Sequence, residues 1–212
     1  MSAGPAQFRI LRYLIAVLAG AAVGLAVYLI LGLDKGPGGP GGPGGSTRVT
    51  GRALIGGSFE LVDHNGKPRK DADFRGKYML VFFGYTHCPD FCPTGLQAMT
   101  ESLDALGEDA DKIQPIFITI DPRRDTAAVL KDYVPNFHKR LIGLTGTEQQ
   151  IAKAAKAYRV YYARAGKAGD EDYTMDHSTF TYFMGPDGTY LTHFSHGTPP
   201  KKVAERIRKY LK

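Results

Sequence analysis

Residues Tyr78 to Tyr85 read YMLVFFGY, a run without a charge, and Cys88, Cys92 and Pro93 follow directly. A continuous apolar run of this length predicts a strand buried on both faces, as in parallel sheets with helices on either side. Pro93 is acceptable in a helix's first turn, and Thr94 to Leu106 carries apolar residues at helical spacing. Pro115 to Ile120 predicts a second buried strand, so the middle of the chain reads as β-α-β. A hairpin is expected over Ser58 to Asp63 with the turn His64-Asn65-Gly66, and helices over Ala127 to Phe137 and Glu148 to Tyr158. Phe180 to Met184 and Tyr190 to Phe194, joined by Pro186-Asp187-Gly188, predict a second hairpin, and Pro199 to Leu211 a closing amphipathic helix. The fold class expected is an α/β, thioredoxin-like sandwich.

The part before residue 51 is of another kind. Tyr13 to Leu33 holds no charged residue, and at about 1.5 Å per residue it would span about 30 Å, the thickness of a bilayer's hydrocarbon core. The apolar core of a cleaved signal peptide is shorter, roughly 7–15 residues, so an N-terminal single-pass transmembrane helix is expected over 13–33. Arg9 and Arg12 precede it, which places residues 1–12 in the cytoplasm and exports the rest. GPGGPGGPGG, from Gly36 to Gly45, has no side chains to pack and reads as a solvated spacer within a linker over 34–50. The globular domain then covers 51–212. The net charge of +6 could favour an acidic partner or an anionic membrane, and no nucleic-acid module or aromatic-interleaved basic patch is present.

The chain has 2 cysteines, Cys88 and Cys92. A bridge between residues so close in sequence removes little entropy from the unfolded chain, so spacing alone favours redox chemistry or metal binding over a structural staple. The loop after a buried strand and before a helix is where open α/β sheets bind ligands. The helix start is expected to lower thiol pKa values. Two thiolates favour Cu(I), Zn(II) or an iron–sulfur cluster, and four-ligand zinc or a cluster needs more cysteines than the chain has. A third ligand must come from elsewhere, with histidine the natural supplier. His64 and His138 read as solvent-facing, His87 as turned away from the sulfurs, and His193 and His196 as surface or supporting groups. His177 lies just before a predicted strand, in a loop that a thioredoxin-like sheet sets against the cysteine loop.

Four stretches resemble the Sco/SenC family of copper proteins that help assemble cytochrome c oxidase: Phe83 to Pro93 (FGYTHCPDFCP), Thr119 to Thr126 (TIDPRRDT), Gly143-Leu144-Thr145-Gly146 and Asp176-His177-Ser178. The likeness covers nearly all of residues 52–212, in order. It implies a thioredoxin fold in which Cys88, Cys92 and His177 hold one copper, as Cu(I) or Cu(II), with Asp176 orienting His177 or acting as an extra ligand. The segment Asp121 to Asp125 is expected to pin its loop through local ion pairs, with Asp125 capping the next helix, the alternative being charges that face a partner.

The function so implied is that of a membrane-anchored copper metallochaperone delivering to the binuclear copper site of cytochrome c oxidase subunit II. Another periplasmic copper chaperone would be a further partner. The alternative is a thiol–disulfide reductase in which Cys88 attacks and Cys92 resolves, keeping that subunit's cysteines reduced. A peroxidase would need an arginine beside a low-pKa cysteine, and none adjoins Cys88 in the sequence. The location expected is a bacterial inner membrane with the domain in the periplasm, the alternative being the mitochondrial inner membrane facing the intermembrane space.

Overall fold

The computed structural model describes residues 18, 19, 21–26, 54–166 and 172–211. The chain divides into two units, Met1–Thr50 and Gly51–Lys212. Most of the expected anchor and the linker before residue 51 lie outside the described residues. Residues 18, 19 and 21–26 are helical, with Leu18, Val23 and Leu25 exposed. Among the described residues no helix is long and apolar enough to cross a membrane.

The second unit is built on the apolar run. Strand β3 (Tyr78–Gly84) is buried along its whole length and pairs in parallel with β4 (Ile113–Thr119), which pairs in parallel with β5 (Ile142–Thr145). The hairpin β1 (Glu60–Asp63) and β2 (Pro68–Lys70) joins beyond β5, and β8 (Thr181–Met184) with β9 (Tyr190–Phe194) joins beside β3. The sheet order is β2-β1-β5-β4-β3-β8-β9. Side chains alternate across it. Phe82 and Phe117 share one face, covered by α1 (Phe91–Leu106) and α2 (Ala127–Tyr133). Phe83 points to the other, where Tyr158 at the end of α3 (Glu148–Ala157) packs on it with ring centroids 5.2 Å apart. Helix α4 (Pro200–Arg208) packs against α1. This is the expected α/β, thioredoxin-like sandwich.

Several boundaries differ from expectation. Helix α1 starts at Phe91, so Cys92 lies in its first turn rather than in the preceding loop. Helix α2 stops at Tyr133 and continues as a 3-10 turn over Val134–Asn136, because Pro135 lacks the N–H an α-helix needs. Thr126, not Asp125, caps α2, its hydroxyl accepting from the Val129 N–H. Strand β5 was not expected, nor was a separate antiparallel pair, β6 (Tyr162–Ala165) with β7 (Thr174–His177). His177 therefore ends a strand instead of sitting in a loop.

The β1–β2 turn is organised by Asp63, whose side chain is buried. Its Oδ1 accepts the amides of Asn65 and Lys67 at 2.9 and 3.0 Å, and its Oδ2 accepts Nε of Arg69 at 2.8 Å. Burial pushes this carboxyl up, but the two amides and the guanidinium outweigh it and hold it below its ordinary value. A folded-state pKa below the unfolded one stabilises the fold above about pH 4, and that contribution fades as pH falls through the folded value. Asp63→Asn is expected to lower stability by about 1–3 kcal/mol at neutral pH. Urea midpoints measured at pH 7 and pH 3 should differ less for this variant than for the parent.

Candidate metal centre

Cys88 lies in the turn after β3, its amide donating to the Tyr85 carbonyl at 3.4 Å, and Cys92 follows in the first turn of α1. The Cys92 amide, one of the free N–H groups at that helix start, donates to Cys88 Sγ at 3.3 Å. Room for the Cys92 sulfur comes from Gly84. A Cβ at that position would stand 2.7 Å from Cys92 Sγ and 3.0 Å from the rings of Phe117 and Phe82. Cys92 is 0% exposed and Cys88 6%. Burial pushes the Cys92 thiol well above its ordinary value, so the expected lowering by the helix start does not hold for this residue. Both cysteines are free thiols.

The third group arrives on β7. His177 Nε2 lies 3.5 Å from Cys92 Sγ, and its Nδ1 faces the Ser178 carbonyl at 3.0 Å. With Nδ1–H donating to that carbonyl, the Nε2 lone pair is left facing the sulfurs. Burial lowers the His177 pKa, against the opposing pull of the Ser178 carbonyl and Asp176, which favours the neutral ring a metal needs. The rings of Phe82 and Tyr85 meet the imidazole edge-on, with centroids 6.4 and 5.9 Å away, and fix its plane. The three donor atoms of Cys88, Cys92 and His177 all lie within 4.8 Å of one another. Cys88 and His177 line an open cleft of about 550 Å³ rimmed by Pro89, Phe91, Tyr161 and Met175, while Cys92 is fully buried.

The other candidates divide. His87 is exposed and turns to Thr86 Oγ1 at 3.1 Å, away from the sulfurs as expected. His193 and His196 are exposed beyond the site. His64 and His138 are half-buried rather than solvent-facing: His64 Nδ1 accepts the Gly143 amide and His138 Nδ1 the Arg140 amide. Asp176 is exposed on the outer face of β7, opposite His177, and is not in the converging set. Asp125 does something the sequence did not suggest. Completely buried, it accepts the Thr86 amide and hydroxyl and the Thr119 hydroxyl, tying the cysteine loop to the end of β4. Burial raises its pKa despite these three donors.

Two thiols and a neutral imidazole in a cleft that leaves one side open suit a soft or borderline metal ion at low coordination number. The family model described as SCO1/SenC matches residues 47–212. The chain belongs to the SCO1/SenC family. Among its relatives, a mitochondrial SCO2 homologue of Bos taurus is 39% identical over 203 residues, spanning 94% of this chain and 75% of the relative. An SCO2-like protein of Rickettsia felis is 46% identical over 155 residues, 73% of this chain and 76% of its own. Solved structures agree with this SCO1/SenC assignment. ScoI of Bradyrhizobium japonicum, determined with copper bound, is 46% identical with a TM-score of 0.68 over 74% of this chain and 99% of its own. Yeast Sco1 is 36% identical, with a TM-score of 0.69 over 74% and 97%.

Proposed function

We propose that the SCO1/SenC domain binds one copper ion through Cys88, Cys92 and His177 and delivers it to the binuclear copper site of cytochrome c oxidase subunit II. The observation that carries this reading is the convergence of those three donor atoms within 4.8 Å, with the Nε2 lone pair of His177 facing the sulfurs. The relative determined with copper bound supports the choice of metal. Two sulfurs and one nitrogen leave a coordination position open on the cleft side, through which an acceptor thiolate can enter and exchange ligands one at a time. Copper here is cargo, so a site that holds it firmly yet admits a fourth ligand serves the purpose. A further periplasmic copper chaperone would load the same open side.

In this reading residues 13–33 anchor the chain and 34–50 link the anchor to the domain 51–212. The exposed Leu18, Val23 and Leu25 of the helical N-terminal residues support an apolar surrounding there. The domain faces the periplasm from a bacterial inner membrane. The alternative, a mitochondrial inner membrane facing the intermembrane space, has the mitochondrial relatives in its favour.

Copper stoichiometry of residues 46–212, reduced and anaerobic, tests the reading beside His177→Ala. One equivalent in the parent, weakened by a factor on the order of 100 in the variant, is the expected result. Unchanged affinity would remove His177 from the ligand set. Thiol–disulfide reduction of the same subunit is the second reading, favoured by the Cys92 amide on Cys88 Sγ at the helix start, which suits Cys88 as the attacking sulfur. It predicts that His177→Ala leaves reductase turnover intact.

A further inference from the structure

We infer that Tyr173, held by Asp121 and Arg124, is a positioning residue for His177, and that it sets how firmly the third ligand is presented to the two sulfurs. The inference rests on the copper-site reading above and adds to it the part of the chain that aims the histidine. The pair β6–β7 is a sheet of its own and shares no ladder with the seven-stranded sheet that carries the cysteine loop. The short link from His177 to β8, which pairs with β3, tethers only the C-terminal end of β7. The strand's other end has no ladder to the main sheet, and side chains hold it there.

Two ties are present. Near the ligand, the Met175 amide donates to the Tyr85 hydroxyl at 3.2 Å. Farther back, the Tyr173 hydroxyl donates to Asp121 Oδ1 at 2.7 Å, and Arg124 Nη1 donates to the Tyr173 carbonyl at 3.0 Å. The Tyr173 ring lies between two guanidinium groups, with Arg124 Cζ 3.7 Å and Arg164 Cζ 3.8 Å from its centroid. Asp121 is 3% exposed and accepts Arg124 Nε on its other oxygen, at 2.5 Å. Arg124 keeps Nη2 buried without a hydrogen-bond partner, a cost the fold carries to keep the guanidinium flat on the ring.

The alternation of β7 turns these contacts into leverage. Residues 173, 175 and 177 are half-buried while 174 and 176 are exposed, so Tyr173, Met175 and His177 face the same way. At about 3.3 Å per residue, Tyr173 grips the strand roughly 13 Å from the ligand. Asp121 and Arg124 follow the end of β4, beside the loop that Asp125 ties to Thr86, so the grip and the cysteine loop refer to one rigid frame.

The test uses the purified full chain, reduced, with copper as the probe, as parent, Tyr173→Phe, Tyr173→Ala, His177→Ala and the Tyr173→Ala/His177→Ala double variant. Tyr173→Ala is expected to weaken copper about tenfold and to diminish the imidazole-nitrogen coupling in the Cu(II) electron paramagnetic resonance spectrum. Tyr173→Phe, which keeps the stacked ring, should recover most of both. Against His177→Ala, Tyr173→Ala should cause no further loss, because the ligand it positions is gone. In the metal-free chain, amide exchange at Met175 and Ser178 should quicken at least tenfold in Tyr173→Ala. Unchanged affinity and nitrogen coupling in Tyr173→Ala, or an equal loss with and without His177, overturns the inference. Should the parent bind no copper, or His177→Ala bind it as well as the parent, the copper-site reading fails. Metal-free exchange then decides alone, unchanged protection at Met175 and Ser178 overturning the positioning role.

Discussion

Cys92→Ala is expected to abolish stoichiometric copper binding while leaving the domain folded. Apparent binding free energies of about 10–16 kcal/mol for four-ligand structural zinc amount to roughly 3 kcal/mol per ligand, a factor above 100 in affinity. Here the loss should be larger. Cys92 supplies one of only two thiolates, and its removal leaves Cys88 and His177 without the donor closest to the imidazole, 3.5 Å from Nε2. The Cys92 sulfur is completely buried, so solvent cannot easily replace the missing ligand. The structural cost is modest, since alanine removes a single buried atom and the cavity is about the size of one methyl group, roughly 1 kcal/mol. Copper retained by equilibrium dialysis against a competing chelator, with circular dichroism as the control for folding, checks both halves. A variant that keeps one tight copper would show that Cys92 is not a ligand.

The second large effect lies one layer beneath the ligands. Gly84→Val is expected to destabilise the domain by roughly 3–5 kcal/mol, a large share of an ordinary domain's stability. Even a Cβ at this position would meet Cys92 Sγ at 2.7 Å and two phenylalanine rings at 3.0 Å. None of these is the loose end of a surface side chain. The sulfur is held by the first turn of α1, and Phe82 and Phe117 lie on the two central strands. Relief must come from moving α1 outward, which carries Cys92 away from His177. Stability and copper affinity should therefore fall together in Gly84→Val, and a smaller, parallel fall is expected in Gly84→Ala. Thermal midpoints of the metal-free variants, read beside their copper affinities, check the coupling. A large loss of stability with unaltered affinity would show that α1 does not shift in relieving the clash.

What could be read before the fold was known follows physical lines. The central strands were legible because β3 is buried along its whole length and β4 nearly so, which leaves each with a dense apolar run. The turns around Gly66 and Gly188 carried local chemistry and were legible for that reason. Strand β5 was not. Its four residues include Gly143, kept small because Val134 and Leu130 of the neighbouring segment crowd it, and that pressure comes from across the fold. The pair β6–β7 escaped for a similar reason. Its strands are four residues each and their inward side chains are only half-buried, so the apolar signal they leave in the sequence is short and weak. The cysteines could be singled out by spacing alone, but choosing His177 from six histidines needed the family resemblance. The role of Asp125 was misassigned because its partners, Thr86 and Thr119, belong to two different strand ends, whereas a cap is a local matter.

The placement of the ligands along the chain has a consequence for the folded state as a whole. Cys92 and His177 are 85 positions apart, and the strand that brings the histidine has no ladder to the main sheet. A metal held by both, as proposed, would act as a reversible cross-link closing about half of the globular domain into a ring. A permanent bridge over such a loop removes about 4.6 kcal/mol of chain entropy from the unfolded state. A coordinated ion gives a share of that only while it stays bound. In the proposed site, loading is therefore expected to raise the domain's stability against unfolding, and surrendering the cargo to lower it.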